Sequence, residues 1–201
     1  MSSGAGASAA EAVAVLDALA SDDLADVVDA LRHLAAIVDC DGEHLPALGE
    51  ALRAEPSHLA ALVHLLGESA PGASTEPAHL SLRILGNMSS ATVDADAHLT
   101  RALLRGRGLM SCITPLLVPP TSASRMYAAG AVQNLSTDAV LANEAAACGM
   151  PSVLDALLSG LPAEPAPGSA DEVLAHFWLG ARKNIAAYAT RSKLPDTNRT
   201  L

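Results

Sequence analysis

The sequence predicts an all-α chain of stacked helical units, on three observations. The same short phrase closes three predicted helices: LRILGNMSS at 82–90, AAGAVQNLS at 128–136 and WLGARKNIA at 178–186. Its asparagines, Asn87, Asn134 and Asn184, stand 47 and 50 residues apart, a period that marks repeated units rather than one closed core. Half of the residues are hydrophobic, and they are mostly Ala and Leu, the best helix formers. No stretch alternates cleanly with a period of two, as a half-buried strand would.

Each element follows from local signals. Residues 11–20 (EAVAVLDALA) form a short apolar helix. Ser21-Asp22-Asp23 then caps a helix reaching about Val38. Its apolar positions Leu24, Val27, Val28, Leu31, Leu34 and Ile37 recur three and four apart, one buried stripe. Helices follow at 43–54, 57–67 and 77–89, separated by Pro56, Pro71-Gly72 and Pro77, since proline starts or stops helices. The next unit runs 95–105, a turn at Gly106 and Gly108, 110–118 stopped by Pro119-Pro120, then 123–135 capped by Thr121 or Ser122. The last runs 138–147, Gly149, 152–159, the proline-rich loop 160–170, then 171–189 capped by Ser169 or Asp171.

The net charge of −10 is unevenly spread. Residues 1–60 carry eleven acidic and two basic side chains, whereas 97–136 carry Arg101, Arg105, Arg107 and Arg125 and no acid. A globally acidic chain is a poor general nucleic-acid binder. No apolar run reaches eighteen residues, so no membrane span is expected. Cys40, Cys112 and Cys148 form no CxxC pair and read as reduced core thiols. With no signal peptide recognised in MSSGAGASAA, the expected location is cytoplasmic or nuclear.

Ala128-Ala129-Gly130-Ala131-Val132-Gln133-Asn134-Leu135-Ser136 closely resembles the third-helix ending of the armadillo-repeat family. Gly108 with Leu116-Leu117, Gly149 with Leu157-Leu158, and Leu65-Leu66 fit its earlier parts. The resemblance covers about residues 11–190, most closely 98–158, and implies a right-handed α-solenoid of armadillo-like repeats. The expected layout is a disordered tail at 1–9, a repeat domain at 10–190 and a polar tail at 191–201. Within the domain, 10–40 is a cap or degenerate repeat, and 43–90, 95–136 and 138–189 are repeats. HEAT and other armadillo-like folds share this pattern of small-residue helices.

The resemblance also implies that the third helices line a groove. There Asn87, Asn134 and Asn184 would hydrogen-bond the backbone of an extended peptide, an amide offering both donor and acceptor. The sequence departs from the family one turn before each asparagine. Arg83, Gly130 and Gly180 stand where tryptophan is usual, and Trp178 lies six residues before Asn184. The aromatic walls therefore read as missing, and Arg83 reads as suited to an acidic or phosphorylated ligand. A structural reading stands beside this one, because Asn near a helix C-terminus also satisfies local backbone groups.

The expected function is a non-catalytic protein–protein interaction scaffold or adaptor without cofactor or metal. The expected partner is a protein or extended peptide, with an acidic one favoured by Arg83. Phe177 and Trp178 are interface candidates near the C-terminal end. They would serve end-to-end self-association or a place in a longer chain. The alternatives are a ubiquitin-pathway adaptor of the armadillo-like PUL type and an enzyme on a helical scaffold. Against the last, no GxSxG, P-loop, HExxH or GxGxxG motif occurs. Arg105-Gly106-Arg107-Gly108 lacks a phosphate loop's preceding strand and lysine. Glu172 and His176 are four apart but have no third ligand nearby in sequence.

Overall fold

The computed structural model describes residues 9–39, 45–67, 75–118 and 122–191. Cys40, Thr121 and the expected tails at 1–9 and 191–201 lie outside them, except that Ala9 opens the first helix and Arg191 closes the last. Among the described residues every regular element is helical. Helix α1 (Ala9–Asp17) passes through a 3₁₀ turn (Ala18–Ala20) to α2 (Leu24–Asp39). Three runs of helices follow in a common order: α3 (Leu45–Ala54), α4 (Pro56–Gly67) and α5 (Glu76–Met88); α6 (Ala97–Leu104), α7 (Leu109–Ile113) and α8 (Ser122–Leu135); α9 (Ala139–Ala147), α10 (Met150–Ser159) and α11 (Ala170–Arg191).

The chain stacks these helices as a right-handed α-solenoid. Helices α2, α5, α8 and α11 pack side by side in that order, each against the next. Helix α3 packs on α6, and α4 on α7. The core is a continuous apolar layer through all runs, from Leu31 and Leu34 on α2 through Leu82 and Leu85 on α5 and Val132 on α8 to Ile185 on α11. Burying each such side chain contributes about 1.5–3 kcal/mol. Alanines 128, 129 and 131 are also buried, which lets the neighbouring helices approach closely.

The local signals act as chemistry requires. Gly106, Gly108 and Gly149 adopt φ of +70°, +71° and +80°, a left-handed region that favours glycine. Thr75 Oγ1 accepts from Ala78 N at 3.4 Å, and Asp138 Oδ1 from Val140 N at 3.0 Å. Of the two candidates before α11, Ser169 is the cap: its Oγ accepts from Glu172 N at 3.2 Å, while Glu172 Oε2 accepts from Gly168 N at 2.5 Å.

Two expectations are corrected. The helix expected at 110–118 is α-helical only to Ile113 and continues as a 3₁₀ turn, Thr114–Leu117. Pro115 has no N–H and its ring crowds the preceding turn, which favours the tighter winding. The apolar stripe of α2 begins at Val27, because Leu24 is 64% exposed on the helix's first turn.

Charged pairs tie helices together both between runs and within one. Arg32 Nε meets Glu76 Oε1 at 2.8 Å, linking α2 to α5. Arg105 Nε donates to Asp138 Oδ1 at 3.1 Å, linking α6 to α9. Arg182 Nε donates to Asp155 Oδ1 at 2.8 Å, linking α11 to α10. The most buried pair is Arg53 with Asp94, whose side chains are 13% and 4% exposed.

Candidate functional site

The ladder α2–α5–α8–α11 turns one face to solvent, and that face holds a cleft of about 240 Å³. Helix α5 contributes Leu82, Arg83, Gly86 and Asn87, helix α8 contributes Met126, Tyr127, Gly130, Ala131 and Asn134, and α11 contributes Phe177. Two of the three sequence-selected asparagines therefore share one cleft.

Each asparagine spends its amide nitrogen on a main-chain carbonyl. Asn87 Nδ2 donates to Arg83 O within its own helix at 2.8 Å. Asn134 Nδ2 reaches across to Gly86 O on α5 at 2.9 Å. Asn184 Nδ2 donates to Gln133 O at 3.2 Å and Ser136 Oγ at 3.3 Å. Asn134 and Asn184 thus join α8 to α5 and α11 to α8, while Asn87 stays within α5. Among the described residues nothing donates to Oδ1 of Asn87 or Asn134.

Arg83 is not a free cation awaiting an acidic ligand. Its Nε donates to Asp39 Oδ1 at 2.9 Å, a second nitrogen contacts Asp39 Oδ2, and its guanidinium lies 5.4 Å from the Tyr127 ring centroid. Opposite charge and the aromatic face both hold it.

The aromatic walls that the sequence reading found missing are supplied from another register. Tyr127 and Phe177 each stand seven residues before an asparagine, Asn134 and Asn184. Two helical turns return a side chain to the same face, so this spacing was the available signal. Phe177 also meets His176 edge-on at 5.9 Å. Trp178, one position on, is fully buried and serves as core. The exposed apolar residues beside it on α11 are Val173, at 38%, and Leu179, at 58%.

The two in-row glycines differ. A Cβ at Gly130 would meet only the Phe177 ring, at 3.8 Å. A Cβ at Gly180 would run into the Gln133 side chain, whose Cδ lies 3.0 Å away and whose amide is closer still. Gln133 therefore covers Gly180, while Gly130 stays open beside the Phe177 ring.

Beyond the cleft, His79 Nε2 contacts Ser124 Oγ and its ring meets Tyr127 edge-on at 6.4 Å. Burial lowers the His79 pKa, with Glu76 partly opposing. Burial pushes the Cys112 thiol up, away from the reactive thiolate. Cys148 Sγ donates to Ala145 O at 3.2 Å. Among the described residues no three or more His, Cys, Asp or Glu gather where they could hold a metal ion, and no helix is long and apolar enough to cross a membrane.

No protein-family model and no curated protein matches the sequence. Solved structures do match it. A Northeast Structural Genomics Consortium engineered protein has 19% identity and a TM-score of 0.63, over 89% of this chain and 64% of that one. A designed armadillo repeat protein has 23% identity and a TM-score of 0.62, over 88% and 65%. Another, solved in complex with peptide (KR)4, has 24% identity and a TM-score of 0.62, over the same shares. The chain spans less than two thirds of the length of each. With three helices per run and one continuous ladder, the chain has an armadillo-like helical repeat fold.

Proposed function

We propose that the chain is a non-catalytic protein–protein interaction scaffold that holds an extended segment of a partner across α5, α8 and α11. The observation that carries this reading is the cleft itself. It sets two amide side chains, Asn87 and Asn134, beside two half-buried aromatic rings, Tyr127 and Phe177, over a helix backbone bared at Gly130. An extended segment presents main-chain N–H groups, and the Oδ1 atoms of these asparagines can accept them. The lining holds no carboxylate, imidazole or thiol, which favours binding over acid–base or nucleophilic chemistry. The likeness to a designed protein solved with a peptide is in keeping with this ligand class but reaches only the fold.

A display library of random peptides selected on the chain tests the proposal, with amide hydrogen exchange locating the bound peptide. Protection concentrated on α5, α8 and α11 supports it. Peptides that protect a different face, or a selection without a specific binder, would overturn it.

A further inference from the structure

Resting on that reading, we infer that the cleft between α5 and α8 anchors one large uncharged side chain of the partner segment, of leucine, methionine or phenylalanine type. The walls are apolar: Tyr127, Phe177 and Met126 stand around the open Gly130. The cleft's volume of about 240 Å³ is room enough for a large side chain.

Charge decides what that side chain is. Arg83 is the single charged residue of the lining, and Asp39 already neutralises it through the 2.9 Å contact from Nε. An incoming carboxylate would have to displace Asp39. An incoming ammonium or guanidinium would lie beside Arg83 with no carboxylate in the lining to receive it. Desolvating a charge without a partner is heavily disfavoured. A neutral wall is complemented by a neutral anchor, which gains from apolar burial and aromatic contact.

The site also holds one anchor rather than a row. Gln133 covers Gly180 at the following step, so the open glycine of this cleft is not repeated there. A strictly alternating cationic peptide such as (KR)4 is therefore a poor match to this chain.

The test uses the peptides recovered from the random display library. Each is resynthesised with its anchor position changed to Leu, Lys, Glu or Ala. The Leu form is expected to bind the full chain at least about tenfold more tightly than the Lys and Glu forms. Gly130→Leu fills the cleft from its floor and is expected to remove binding by a similar factor, while circular dichroism shows retained helicity. Asp39→Asn frees Arg83 and is expected to strengthen the Glu form selectively. Peptides that protect the cleft yet prefer Lys or Glu at the anchor in the unaltered chain would sink this inference and leave the scaffold reading standing. Peptides that protect another face would remove both.

Discussion

Asn134 donates its amide nitrogen to the main-chain carbonyl of Gly86, 2.9 Å away on the neighbouring third helix. The bond exists because α5 and α8 nearly touch there. A Cβ placed on Gly86 would lie 3.1 Å from Ala131 Cβ and 3.2 Å from Ala131 Cα. The small residues set the helix spacing, and the asparagine uses it.

Gly86→Ala and Gly130→Ala should therefore shift stability in opposite directions. Alanine in a helix gains about 1 kcal/mol over glycine. At Gly130 the new methyl meets only Phe177, at 3.8 Å, so Gly130→Ala should raise stability by about that amount. At Gly86 the methyl meets backbone, and overpacking costs about 1–3 kcal/mol, so the net change should be a loss. Denaturant unfolding of both variants measures the contrast; a loss at Gly130 would show that the cleft is more tightly packed than its geometry implies.

Arg53 and Asp94 form the pair whose removal should be felt most. Arg53 Nη1 also donates to Thr100 Oγ1 at 3.2 Å, and Asp94 Oδ1 accepts from Asp96 N at 2.9 Å. Asp94→Ala leaves the largely buried Arg53 with only Thr100 and the longer 3.7 Å contact to Asp96, at an expected loss of about 2 kcal/mol. Replacing both residues by apolar ones should cost less than Asp94→Ala alone. A double-mutant cycle in urea measures the coupling, and simple additivity would count against it.

Acid should weaken the fold in two stages. Burial lowers the His79 pKa, so the unfolded chain takes that proton more readily than the folded one. The associated stability is present above about pH 6.5 and is lost as the pH falls below it. The second stage involves three carboxylates held below their ordinary range. Glu76 is lowered by its bond to Arg32, and Asp155 by its bond to Arg182. At Asp138 burial raises the pKa, but Arg105 and the N–H groups of Leu141 and Val140 together outweigh it. Their stability is complete above the ordinary carboxylate range and is lost as the pH falls through their depressed values. Thermal melts across pH should show both stages. His79→Gln should remove the upper one and leave the lower.

The helices and their breaks were legible because their causes are local. Pro56 opens α4, Gly108 and Gly149 turn the chain into α7 and α10, and Ser169 caps α11. The repeated phrase put an asparagine toward the end of α5 and of α8 and within α11, and Asn134 and Asn184 both reach the third helix before their own. The same reading assigned Arg83 to an acidic ligand and Trp178 to an interface. Residue type and spacing did not reveal that Asp39, 44 residues earlier, meets Arg83, or that Trp178 falls on the core stripe of α11.

By itself, the sequence determined that the chain is helical, the order of its helices and most of the breaks between them. These depend on propensity, periodicity and turn chemistry within a few residues. Only the tertiary structure decided that Asn134 bonds Gly86, that Phe177 lies against Gly130, and that Gln133 covers Gly180. Those contacts depend on how one helix slides and rotates against its neighbour. That register is set by the packing of side chains some 45 to 51 residues apart, where a local pattern carries no information.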